Sequence, residues 1–273
     1  MTSSLSVIAR NEFYRTMFNP MVFVVGLILL AITYLNAAGG VQDLQVASAI
    51  WNCDGFVKGF SQIYYNTIFI CCIMAAYIGV TSISGERNNG CLNILLTKPL
   101  YRRDVVMGKF IGTNLFLLVF LVIVMLANSL FLLNFYGAPS SVYEFLWRIT
   151  IYTMVLSMEL SLVTGITMLI GIIFKDLLLA VSIIVLYLSY EWFWIQMTAI
   201  LSYMLNFPIT SNMLTQRICG LYGDSYTRSN LFITSIPFST WIGDAYPYIF
   251  LMVFLIVGVL LLNCLIYARM EDV

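Results

Sequence analysis

The chain has 273 residues, 61% hydrophobic and 10% charged, with thirteen basic and thirteen acidic side chains and a mean hydropathy of +0.94. A water-facing domain carries roughly 25% charged residues, so this surface is solvated by lipid, and no nucleic-acid partner is expected. There is no histidine, which excludes imidazole-based triads, histidine-dependent metal centres and histidine-ligated haem; no bound metal is expected.

The opening stretch MTSSLSVIARNEFYRTMFNP is too polar for the core of a secretion signal, and the apolar run behind it is long enough to stay in the bilayer. A membrane crossing takes about 20 apolar residues. Six segments qualify, at 21–38, 59–84, 110–134, 146–174, 177–203 and 247–267. Backbone polar groups in lipid must be paired within each segment, so the spans are helices. The expected fold is all-α: one polytopic membrane domain over 1–273 with six transmembrane helices and no internal repeat.

The second span is polar for its place, with Ser61, Gln62, Asn66, Thr67, Thr81, Ser82 and Ser84. Polar side chains in lipid turn toward protein or water, so this span is expected to line a substrate path or a dimer interface. The connection behind it, GERNNGCLNILLTKPLYRRDVVMGK at 85–109, gathers Arg87, Lys98, Arg102, Arg103 and Lys109. Within it, Leu92, Leu95 and Leu96 share one face of a short helix, started at Asn89-Gly90 and stopped by Pro99. Such a face must be covered, by a membrane surface or by a groove on a partner.

The fourth and fifth spans carry Glu159 and Glu191. Lys175, in the turn between them, is equidistant from both, so in a hairpin both acids would lie about 24 Å from that turn. Carboxylates in lipid are functional candidates. They could share a proton, bind a cationic group of a substrate, or pair with donors such as Arg148, Gln196 or a tyrosine and only fix packing. Trp192 and Trp194 read as an interfacial belt.

Lys and Arg set the orientation. The side holding both termini also holds Arg10, Arg15, Arg87, Lys98, Arg102, Arg103, Lys109, Lys175 and Arg269; the other holds Lys58, Arg148, Arg217 and Arg228. The termini and the 85–109 loop are therefore expected in the cytosol. The outer loop at 204–246 mixes aromatic and polar residues, as amphipathic pieces in the outer interface or an ordinary ordered loop would. Cys53 and Cys219 fall in outer loops and could pair.

Residues 85–109 resemble the loop behind the second span in permease subunits of type-2 ABC transporters, the six-span exporter class also grouped as type V. That loop reads approximately Glu-x-x-x-Gly-Thr, a short apolar helix, Leu-Leu-Thr-x-Pro-x-x-Arg, then Gly-Lys opening the third span. Here the matching residues are Glu86, Gly90, Leu95-Leu96-Thr97-Lys98-Pro99, Arg102 and Gly108-Lys109. Cys91 departs from the pattern, standing where Thr or Ser is usual, which removes a hydroxyl cap. The N-terminal IARNEFYRTMFNP is similar to the family's interfacial elbow helix, at 1–19.

The resemblance implies that the loop is a coupling helix docked in a cleft of a separate ATPase. Leu92, Leu95 and Leu96 would make apolar contact, Glu86, Arg102 and Arg103 would pair at the rim, and Arg87 and Lys109 would sit at lipid headgroups. It implies two permease copies, a homodimer, with two ATPases, and a central wall from the second and fifth spans. Gln62, Tyr65, Asn66, Glu159 and Glu191 are the candidates for that wall or the substrate path. The permeases of nitrous-oxide-reductase maturation systems are the subgroup it resembles most, and such systems can include an extracytoplasmic accessory protein.

The chain holds no Gly-x-x-x-x-Gly-Lys-Ser/Thr loop, so it is not expected to be an enzyme or to bind a cofactor; ATP and Mg would sit on the partner. The expected place is the plasma membrane. The alternative is a self-sufficient secondary transporter or channel using Glu159 and Glu191 as ion ligands, against which stand the missing inverted repeat and broken-helix pairs. An intramembrane enzyme would lack a convincing catalytic pair.

Overall fold

A computed structural model describes residues 2–40, 54–85, 102–174, 176–192, 208, 210–221 and 230–269. Among them every regular element is helical. Chain order runs α1 (Thr2–Met17), α2 (Pro20–Gly39), α3 (Gly55–Val80) with a π-helical turn at Thr81–Gly85, α4 (Arg102–Tyr136), α5 (Val142–Ile173), α6 (Leu177–Trp192), α7 (Ser211–Cys219) and α8 (Phe238–Arg269). By length and composition α2, α3 with its π turn, α4, α5 and α8 can each cross a membrane, and α6 is a shorter apolar helix. The protein is an all-α polytopic membrane protein.

Local chemistry sets the boundaries. Asn19 caps α2, its side chain accepting the Met21 N–H at 3.0 Å, and Pro20 takes the first helical position, where no N–H is needed. Asp54 caps α3 through the Phe56 N–H at 2.9 Å, while its other oxygen accepts from Ser140 N–H at 2.7 Å and Ser140 Oγ at 2.9 Å. One carboxylate thus joins the start of α3 to the α4–α5 turn. Gly137 ends α4 at φ 77°, a left-handed conformation that favours glycine.

α4 and α8 start furthest ahead of their apolar runs. α4 begins at Arg102 rather than near 110, and α8 at Phe238 rather than near 247. Hydropathy marks the stretch that sits in hydrocarbon, whereas the hydrogen-bond ladder continues past it. α6 is described as far as Trp192; residues 193–207 lie outside the described residues, so the expected end of that span near 203 lies there too.

α3 runs through the centre, with Tyr64, Ile68, Cys71, Cys72 and Ala75 fully buried. Small residues let its neighbours approach. A Cβ on Gly79 would come within 2.2 Å of Thr167 Oγ1 on α5. Ser84 Oγ donates to the Gly171 carbonyl at 3.0 Å, and Asn263 Nδ2 of α8 to the Gly165 carbonyl at 2.9 Å. α1 lies along α4, where a Cβ on Gly112 would meet the Ala9 carbonyl oxygen at 2.4 Å. Close contact at small residues, sealed by side-chain bonds to backbone carbonyls, is how helices associate in lipid, where apolar surface alone offers little drive. The outward faces carry Leu27, Leu126, Leu130, Leu186, Phe250 and Phe254, all exposed; such a surface suits hydrocarbon and not water.

Of the segment 204–246, residues 208, 210–221 and 230–246 are described, and they include α7. α7 is a short helix packed inside the protein: all its residues except Arg217 are buried. Its polar side chains find partners inside the protein, which removes the need for water. Trp241 Nε1 donates to the Ile218 carbonyl at 2.8 Å and holds α7 against the start of α8. Cys219 is buried at its end, where desolvation pushes the thiol above its ordinary range. Cys53 lies outside the described residues, and the pairing of Cys53 with Cys219 lies there with it.

Candidate functional site

Of the coupling-loop candidates, Glu86, Gly90, Leu92, Leu95, Leu96, Thr97 and Pro99 lie outside the described residues, as does the side chain of Arg102. The two shoulders of the loop are described. One is the π-helical turn Thr81–Gly85, the other the first turns of α4, on which Arg103 is exposed. Beneath them Ile83, Val106, Phe110, Met168, Ile172, Cys264 and Tyr267 form an apolar cluster from the π turn, α4, α5 and α8. A displacement of either shoulder therefore bears directly on three long helices.

Lys109 sits at the centre of this junction and corrects its expected place at the lipid headgroups. It is 4% exposed. Its Nζ donates to the Ser82 carbonyl in the π turn at 2.5 Å and lies 4.0 Å from Glu12 Oε2 on α1. α4 is already helical from Arg102, so Lys109 lies two turns inside rather than at the mouth of the span. A π turn shifts the hydrogen-bond register by one residue, and the ammonium binds one of the carbonyls in that turn. One buried cation thus joins α1, α4 and the end of α3.

A second polar centre lies between α3, α5, α6 and α7. Glu159 is fully buried and Glu191 is 3% exposed. The two carboxylates are close enough to sense each other's charge. Cys72 Sγ approaches Glu159 Oε1 at 4.0 Å, and the Thr215 side chain of α7 faces the same carboxylate. Glu191 Oε1 accepts both the Ser211 N–H, at 3.0 Å, and the Ser211 hydroxyl, at 2.6 Å. A carboxylate here meets the positive end of the α7 dipole and satisfies a first-turn N–H. Asn212 Oδ1 accepts from Tyr64 Oη at 3.0 Å and from Gln216 Nε2 at 3.0 Å, and Tyr65 Oη reaches Gln216 Oε1 at 3.5 Å.

The wall candidates therefore divide. Glu159 and Glu191 join one buried cluster. Tyr65 is 44% exposed and reaches that cluster only through its hydroxyl. Asn66 is half-buried, and the side chain of Gln62 lies outside the described residues. Arg148 is not a partner of either acid, contrary to its place among the expected donors. It donates to the Leu231, Ile233 and Ile236 carbonyls at 2.5, 3.3 and 3.1 Å and to Glu144 at 3.1 Å, so it fastens the 231–236 stretch to α5. Gln196 lies outside the described residues. Among tyrosines, Tyr187 neighbours Glu191.

Sequence reasoning missed Ser211, Asn212, Thr215 and Gln216 as members of the site. The available signal was Thr210 followed by SNMLTQR, a capped polar helix whose side chains could be buried only against polar residues of the spans. Chemically the cluster is a polar plug within an apolar bundle, with two acids seated under a short helix.

A profile of the family described as ABC-2 family transporter protein matches residues 6–271. No curated protein matches the chain.

Proposed function

The chain belongs to the ABC-2 family of transporter proteins, and we propose from that premise that it is the permease of an ATP-driven exporter, worked through the 85–109 loop by a separate ABC ATPase. Membership implies an ABC transporter permease with an ABC ATPase as partner; direction, stoichiometry and the docking residues are our reading. Two copies of this chain would pair along the second and fifth spans, each gripped by one ATPase carrying ATP and Mg. The termini and the loop would face the cytosol of a plasma-membrane protein. The systems that mature nitrous oxide reductase remain the nearest subgroup in this reading.

One observation carries it. The Glu86, Gly90, Leu95-Leu96-Thr97, Pro99, Arg102 and Gly108-Lys109 series runs from the connection behind α3 into the first turns of α4. Both shoulders of that connection are bound into the bundle, by Ser84 on Gly171 and by Lys109 on Ser82. A leucine face on a connection so anchored is suited to receive a push and pass it to α3, α4 and α5. Glu86 and Arg103 would hold the rim, and closure of the ATPase pair would drive the shoulders together.

The test is co-purification of the ATPase with this chain carrying Leu95→Asp and Leu96→Asp. Burying two leucines contributes about 3 kcal/mol, so retention of the ATPase should fall about a hundredfold. Unchanged retention would remove the leucine face from the interface.

A further inference from the structure

The ATPase-driven movement makes no use of two buried acids, Glu159 of α5 and Glu191 of α6. Among the described residues no ion pair reaches either of them. The titratable groups that face them are Tyr64, Cys71 and Cys72 of α3, Tyr152 of α5, Tyr187 of α6 and Cys219 of α7. None of these side chains can carry a positive charge. Arg148, on the same helix as Glu159, is occupied by three backbone carbonyls and Glu144. Two ionised carboxylates here would repel each other with no cation to offset them, and burial takes both out of bulk water.

The hydrogen bonds around the two acids are unequal. Glu191 Oε1 receives the Ser211 N–H and the Ser211 hydroxyl at the amino end of α7, an environment that suits an anion. Glu159 receives no comparable donor. The Cys72 thiol stands 4.0 Å from its Oε1, and S–H is a weak donor. Thr215 turns its side chain to Glu159, but gives its hydroxyl hydrogen to the Ser211 carbonyl at 3.2 Å. A hydroxyl has one hydrogen, so Thr215 presents an acceptor lone pair to Glu159. An acceptor turned toward a carboxyl group is matched by a hydrogen on that group. The Oε2 atoms of both acids are buried and have no hydrogen-bond partner. Surroundings that differ in this way set one of two neighbouring acids in the neutral form and the other as the anion.

We propose that Glu159 and Glu191 form a proton-binding site that holds one proton, carried by Glu159, with Glu191 as the anion beneath α7. Binding takes a proton from water to form the O–H bond on the Glu159 carboxylate, and release returns that proton to water. Glu159 is fully buried, so the exchange requires α7 to move. Loss of the proton places two like charges behind Ser211 and Thr215. α7 is held while the site is occupied and freed when it empties, which makes the site a latch opened by alkaline conditions.

The test is infrared spectroscopy of the purified full-length chain in dodecyl maltoside, a detergent without a carbonyl group, titrated from neutral to alkaline pH. The carbonyl stretch of a protonated carboxyl group is expected at neutral pH and should vanish as the pH rises. Glu159→Gln should abolish it, and Glu191→Gln should keep it. Glutamine has the shape of a neutral carboxyl group, so Glu159→Gln matches the proposed resting state and should fold. Hydrogen exchange of α7, corrected for the intrinsic rate at each pH, should quicken as the band disappears in the unaltered chain and stay level in Glu159→Gln. Absence of the band from the unaltered chain, its survival in Glu159→Gln, its loss in Glu191→Gln, or exchange in α7 that ignores the titration would each overturn the proposal. Neither ATPase nor cargo enters the measurement, so any of those results would leave the permease reading standing.

Discussion

Replacing Glu191 with leucine should release α7 from the bundle, and replacing it with glutamine should not. The Glu191 carboxylate accepts two bonds from Ser211, one from the backbone N–H that opens α7 and one from the hydroxyl. Leucine leaves both donors buried without an acceptor, at a cost of about 2–3 kcal/mol. Glutamine keeps an oxygen at the same place, and its effect should stay below about 1 kcal/mol. Cys219 reports the outcome, because it is buried at the far end of α7. In a Cys53→Ser background, labelling of Cys219 by a membrane-impermeant maleimide should rise with Glu191→Leu and stay near the unaltered rate with Glu191→Gln. Equal labelling in both would mean that Glu191 does not hold this helix.

Lys109→Met should loosen α1. The substitution keeps most of the aliphatic stem and removes the ammonium that serves the Ser82 carbonyl and Glu12. Breaking a buried pair from one side costs about 3 kcal/mol, which corresponds to roughly a hundredfold in an opening equilibrium. Hydrogen exchange reads this directly. Amides of Thr2–Met17 and of the π turn Thr81–Gly85 should exchange about a hundredfold faster, while α5 and α8 keep their protection. Glu12→Gln should act in the same direction with a smaller effect, because Lys109 retains the Ser82 carbonyl. Unchanged exchange in α1 would show that packing at Gly108, Gly112 and Phe116 holds it on α4 without Lys109.

The apolar runs were legible because lipid demands length and hydropathy, and both are local properties. The polarity of α3 was legible for the same reason: Thr67, Ser82 and Ser84 have no place facing hydrocarbon, and all three are fully buried. The partners of buried groups were not legible. Tyr64 and Asn212 are 148 residues apart in the chain, and nothing local in SNMLTQR says that it enters the protein rather than lying upon the membrane. Lys109 was misplaced because the resemblance set it at the mouth of the third span, whereas α4 is helical from Arg102 and carries it into the bundle. Arg148 was misassigned because three backbone carbonyls of 231–236, which no side-chain pattern announces, meet its guanidinium. Glycine spacing in α4 was visible as Gly108 and Gly112, yet only the fold shows that the facing surface is α1.

In the proposed mechanism a nucleotide-driven motor moves this bundle through the 85–109 connection. The most direct measurement is ATP hydrolysis by the partner ABC ATPase, reconstituted in proteoliposomes with the unaltered chain, with the Leu95→Asp, Leu96→Asp chain, and without either. Hydrolysis should depend on the unaltered chain and return to the chain-free level with the double variant. A rate indifferent to all three, together with dissipation of an imposed proton or sodium gradient by this chain alone that Glu159→Gln or Glu191→Gln abolishes, would contradict it.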